Sequence, residues 1–97
     1  MPKAYWIAHV DVHDEANYPD YITTAAPAFQ RYGAKFLVRG APIATSEGNT
    51  RARNVVIEFA NLADAKACYE CAEYQAALKI RQACSDSDLI VIEGYEG

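Results

Sequence analysis

Four short runs rich in β-branched and aromatic residues limit what this chain can become: AYWIAHVDV (4–12), KFLVRGA (35–41), RNVVIEFA (53–60) and LIVIEGY (89–95). The first alternates Trp6, Ala8, Val10 and Val12 against Tyr5, Ile7, His9 and Asp11, the period of two that a strand requires. The first and last intervals between runs are long enough for helices, whereas the middle one, TSEGNTRAR, holds a turn at Glu47-Gly48-Asn49. Asp14 or Asn17 caps a helix carrying Tyr18, Ile22, Ala25 and Phe29, which ends at Gly33; Pro19 fits its first turn and Pro27 bends it. Asn61 or Asp64 opens a second helical region from Leu62 to Ala83, broken near Cys71 to Glu73, and SDSD leads into the last strand. The order β-α-β-β-α-β predicts an α+β, ferredoxin-like fold. Residues 1–97 would form one domain, a four-stranded antiparallel sheet with helices on one face.

A sheet covered on one side should be polar on the other, and this one is not. Helices are expected over Trp6, Ala8, Val10, Phe36, Val38, Val55, Ile57, Phe59, Ile90 and Ile92. The opposite face then carries Tyr5, Ile7, His9, Leu37, Arg39, Val56, Glu58, Leu89, Val91 and Glu93. At roughly 25 cal/mol per Å² of apolar surface, leaving those groups in water forgoes several kcal/mol, comparable with the whole stability of a small domain. A second sheet, most simply that of an identical chain across a two-fold axis, is expected to cover them, making a homodimer.

Each strand places one ionisable residue on that same face: His9, Arg39, Glu58 and Glu93. Buried between sheets, such groups must pair, titrate or face a wet cavity. In one reading they line a ligand pocket, with Arg39 on an anionic or carbonyl oxygen and His9, Glu58 or Glu93 moving a proton. In the other they are a structural Arg–Glu network, with His9 an interior hydrogen-bonder.

Other classes are disfavoured. Nine basic against 13 acidic residues give a net charge of −4, the wrong sign for nucleic acid. No apolar run approaches the ~20 residues of a membrane span, and MPKAYW enters a strand pattern without a signal-peptide core, so the expected location is the cytoplasm. Cys68, Cys71 and Cys84 are an odd set, and Cys68-Tyr-Glu-Cys71 lies inside a helical pattern with no second ligand pair, so all three read as packing thiols. In HVDVH, His9 and His13 would stand ~13 Å apart on an extended strand, too far to share an ion. His9 and Asp11 alone lack further protein ligands, and His13 beside Asp14 fits an exposed turn. Neither a metal nor a cofactor is expected.

The runs YGAKFLVRGAP, RNVVIEFANLADAKACYE, AEYQAALKIRQA and DLIVIEGY, in this order and spacing, resemble the small bacterial family called domain of unknown function 1330, from Ala4 to Gly94. The resemblance implies a ferredoxin-like subunit of a dimeric α/β barrel, an architecture that serves cofactor-independent monooxygenases, isomerases and binding modules alike. Residues matching the family pattern include Tyr18, Tyr21, Gly33, Arg39, Gly40, Glu58, Tyr69, Tyr74, Arg81, Glu93 and Gly94. Where the family reads W-Y-x-S-P-E-Y, this chain has Cys68 to Tyr74 without the tryptophan and the serine-proline break. Tyr5, Tyr69, Tyr74 and Arg81 are the ligand-contact candidates; the two helical tyrosines and Arg81 equally fit a helix covering the sheet edge. Two function classes stay open: a small enzyme, isomerase or cofactor-free oxygenase, acting on a small polar or aromatic metabolite, and a non-catalytic ligand-binding or stress-response dimer.

Overall fold

The computed structural model describes residues 2–96. Its elements are β1 (Ala4–Val12), α1 (Tyr18–Arg31), β2 (Lys35–Arg39), β3 (Arg53–Phe59), α2 (Leu62–Glu70), α3 (Ala72–Cys84) and β4 (Ser85–Glu93). The strands form one sheet in the order β2-β3-β1-β4 with every neighbouring pair antiparallel, the ferredoxin-like arrangement expected from the sequence. The second helical region is divided at Cys71, whose extended backbone (φ −68°, ψ 155°) ends α2 and begins α3.

Local chemistry explains the boundaries. Of the two candidate caps, Asn17 holds the N-cap position of α1 without a side-chain cap bond, while the Asp14 carboxylate accepts from the Asn17 backbone N–H at 3.3 Å and from Asn17 Nδ2 at 2.7 Å. Gly33, at φ +69°, turns the chain out of α1 so that the Ala34 N–H reaches the Phe29 carbonyl at 2.9 Å. At α2 the Asn61 side chain accepts from the Asp64 N–H at 2.8 Å.

The core is organised around Trp6. Its Nε1–H donates to the Ala65 carbonyl at 2.9 Å, and its ring meets Tyr74 at 4.7 Å and Phe29 at 5.4 Å edge to face. Phe59 and Tyr69 complete the cluster at 5.4 and 5.8 Å. Tyr74 closes it toward α1 through a 2.9 Å bond between its hydroxyl and that of Tyr21.

Two strands run out of the phase expected of them. In β1 and β3 the helices do cover Ala4, Trp6, Ala8 and Val10 with Val55, Ile57 and Phe59. In β4, however, Val91 is the partner of Trp6 and Leu89 that of Ala8, so these two face the helices, while Ile90 and Ile92 lie on the open face, 51% and 46% exposed. The strand begins at Ser85, not at Leu89, and the alternation of SDSD sets its phase: Ser85 and Ser87 turn inward, Asp86 and Asp88 outward. In β2 a bulge lies between Phe36, paired with Ile57, and Val38, paired with Val56. The extra residue moves Val38 to the open face and brings Arg39, opposite Val55, to the helix side. Apolar side chains therefore still occupy both faces of the sheet, with Ile90, Ile92 and Val38 in place of Leu89, Val91 and Arg39.

Candidate functional site

Between the sheet and α1 lies a cavity of about 280 Å³. Its floor is Trp6, Ala8, Val10, Val55, Ile57 and Leu89, its roof Tyr18, Tyr21, Ile22, Ala26 and Phe29, and Phe36 closes one side. Three arginines from three different elements reach this apolar space: Arg39 at the end of β2, Arg53 at the start of β3 and Arg81 on α3. Among the described residues no Asp, Glu or His lines it.

The arginines differ in what holds them. Arg39, exposed at the rim, lies over the Phe36 ring at 4.1 Å. Arg53 stands 5.6 Å from the Tyr18 ring centroid and packs so closely on Gly40 (φ +75°) that a Cβ there would collide with its guanidinium. Arg81 is 5% exposed, stands 5.7 Å from the Tyr21 ring centroid and donates through Nη1 to Ser87 Oγ. The Nε of Arg53 and that of Arg81 are buried without a hydrogen-bond acceptor, and among the described residues no carboxylate is in ion-pair reach of any of the three. Tyr18 and Tyr21, their rings 5.5 Å apart, complete a row from Arg53 to Arg81. Burial pushes the Tyr21 hydroxyl well above the usual tyrosine range, so it stays protonated at neutral pH. Burial also raises Tyr74, with the nearby Arg81 charge opposing the rise. The polar side chains here donate hydrogen bonds readily, and none is suited to accepting a proton.

A second, wider groove lies on the open face beneath the segment joining β2 to β3. His9 and Asn54 line it with Asp11, Arg51 and Asp88. His9 Nδ1 lies 2.6 Å from Asn54 Oδ1, and Asn54 Nδ2 donates to the Arg51 carbonyl at 3.2 Å. With the amide so oriented, His9 donates through Nδ1. Arg51 bonds Asp11 and Asp88, both at 3.0 Å, so Asp11 is bound in a network and is not merely solvated.

The four residues expected to share one face do not all meet. His9 and Glu58 are on the open face, but Arg39 and Glu93 are in phase with the helix side, opposite Val55 and Ala4. Glu58 pairs with Lys3 at 2.7 Å, not with Arg39, and Glu93 is exposed at the sheet edge. Tyr5 is also on the open face, its ring against Gly94. Of the helical candidates, Arg81 lines the cavity, Tyr74 supports it from behind through Tyr21, and Tyr69 packs on Trp6. Arg53, Tyr18 and Tyr21 were not singled out for the site. The signal for Arg53 was its position in phase with Val55, Ile57 and Phe59, which places an arginine under the helices.

Among known structures the chain resembles RPA0582 of Rhodopseudomonas palustris, a protein of unknown function, with 20% identity, a TM-score of 0.79 and alignment over 99% of this chain and 85% of the other. SnoaB, a cofactor-independent oxygenase from Streptomyces nogalater, matches at 10% identity and TM-score 0.64, over 100% of this chain and 97% of its own. A dimeric ferredoxin-like protein of unknown function from Thermobifida fusca matches at 19% identity and TM-score 0.56, over 96% and 92%. At these identities the likeness concerns the fold. None of the curated proteins is a match. The family pattern called domain of unknown function (DUF1330) matches residues 3–95, nearly the entire sequence, and the chain belongs to that family.

Proposed function

We propose that this protein is a cytoplasmic homodimer that binds a small, largely apolar metabolite in the cavity between the sheet and α1. The observation that carries the reading is the cavity itself: an apolar, aromatic-walled space of about 280 Å³ inside a small domain, with a few convergent polar groups, Arg39, Arg53 and Arg81. A space of that size left unfilled would cost a small domain packing energy it can ill spare. His9, Glu58 and Glu93 do not line it and take no part in the reading. The test is a thermal-shift screen of small metabolites on the wild type and on Ala26→Phe, which fills the roof. Compounds that raise the melting temperature of the wild type should lose their effect in the variant; shifts that persist there, or no shifts at all, remove the cavity as the site.

The dimer is supported by the apolar open face, where Ile90 and Ile92 stand about half exposed, and by the dimeric state of the Thermobifida fusca neighbour. Light scattering should give about twice the 10.7 kDa chain mass, and Ile90→Asp should halve it. A monomeric wild type would refute the assembly. The cytoplasm suits a chain whose three cysteines are unpaired.

Cofactor-free oxygenation of the bound metabolite is a second reading, favoured by the likeness to SnoaB. With donors but no proton acceptor among the cavity side chains, the substrate would have to ionise through its own acidity while the arginines stabilise the anion. Oxygen consumption with compounds found in the screen tests it, and a flat trace leaves a binding protein.

A further inference from the structure

We infer that the cavity's ligand is a small organic anion, a monocarboxylate on an aromatic or branched apolar body, held by Arg53 and Arg81. This rests on the reading of the cavity as a ligand site and adds the charge class of what enters it. Two arginines whose Nε–H is buried without an acceptor, Arg81 buried and Arg53 half-buried, are unusual in a protein interior, where polar groups are paired and a lone charge is strongly disfavoured. Arg81 is 5% exposed, and the Ser87 hydroxyl that it reaches is neutral, so its charge has no counterion there. The chain carries a net charge of −4, yet none of its acidic residues among those described lines this space. The positive charge is therefore segregated from carboxylates that are plentiful elsewhere.

The two arginines also belong to one row. Arg53 and Ser87 are the cross-strand partners of Val10 on its two sides, and Arg81 is bonded to Ser87, so both guanidinium groups flank the Val10 floor beneath Tyr18 and Tyr21. A carboxylate offers two oxygens with enough acceptor sites for N–H groups converging from either side. The rest of the lining, with Trp6, Phe29 and Phe36, can solvate only an apolar body, which disfavours inorganic phosphate and dicarboxylates.

The experiment compares carboxylates with their own primary amides, which match in shape and differ in charge: benzoate, phenylacetate and isovalerate against benzamide, phenylacetamide and isovaleramide, with inorganic phosphate alongside. Calorimetry on the wild type should give at least one carboxylate bound about tenfold or more tighter than its amide, and phosphate bound weakly or not at all. That preference should vanish in Arg53→Met and persist in Arg51→Met, whose arginine lies outside the cavity. Because substituting the buried Arg81 puts folding itself at risk, Arg81 is read in the wild type: the Nε–H resonances of Arg53 and Arg81 should shift with the carboxylate and not with the amide. Equal binding of acid and amide would overturn the anion inference and leave the cavity reading standing. Phosphate binding as strong as the best carboxylate would overturn the apolar-body assignment. Failure of every probe to bind would overturn both the inference and the reading beneath it.

Discussion

Arg51 and Arg53 are two residues apart and meet opposite surroundings. Arg51 is clasped by Asp11 and Asp88 on the open face, its charge balanced within the fold. Arg53 lies under α1 with an aromatic ring and a glycine for neighbours and no carboxylate in reach among the described residues. The contrast extends across the sheet: the charged groups of the open face largely answer one another, as Lys3 answers Glu58, whereas those of the cavity meet no carboxylate among the described residues. An internally balanced network contributes to the fold. An unbalanced one, kept at the cost of burial, points to a ligand.

The widest gap between the two sides should appear at adjacent residues. Trp6→Ala removes the centre of the aromatic cluster and should cost about 3–5 kcal/mol in urea unfolding, whatever the protein concentration. Ile7→Ala, on the open face, should cost less, and if a second chain covers that face as proposed its loss should shrink on dilution, as wild type and variant both become monomers. A loss at Ile7 independent of concentration would break the account of that face.

The next effect belongs to the helix layer alone. Burial raises the pKa values of Tyr21, Tyr74, Cys84 and Cys68, the last from 9 to about 12. The folded state thus holds protons that the unfolded chain has already released. The stability they contribute is whole below about 9 and is lost as the pH rises toward 12. Urea midpoints should therefore be flat from neutrality to about 9 and fall above it, and a midpoint that rises in that interval would contradict the burial of these groups.

The smallest effect would sharpen the comparison most. Arg51→Met should cost a small but measurable amount, since its partners are solvated. Arg53→Met should cost nothing or stabilise the ligand-free protein slightly, because it removes a buried donor without an acceptor. Chemical denaturation of the two variants decides it, and the reverse order would mean that Arg53 is a structural residue.

The element order, the break at Cys71 and the inward faces of β1 and β3 were legible because each rests on a local signal: alternation, a cap or a turn residue. The phases of β2 and β4 were not read correctly, and with them which residues share each face of the sheet. LIVI is apolar at every position, so it carries no period; the phase of β4 resides in the SDSD just before it, where serines face in and aspartates out. The β2 bulge has no glycine or proline to announce it, as it arises from pairing with β3. The arginine cluster was hidden for a related reason. Arg39, Arg53 and Arg81 come from separate elements, and only Arg81 and Arg39 drew notice, for different reasons and on different faces.

The bulge at β2 carries a consequence for how such a cavity can be altered. Drawing Leu37 into the ladder opposite Val56 would restore strict alternation and turn Val38 inward and Arg39 outward, exchanging a charged rim for an aliphatic one without replacing any residue. An edge strand tolerates such a slip because it has one hydrogen-bonded neighbour to re-register against. The register of β2, as well as side-chain identity, is thus a variable through which relatives sharing this fold can differ in the charge of what they admit.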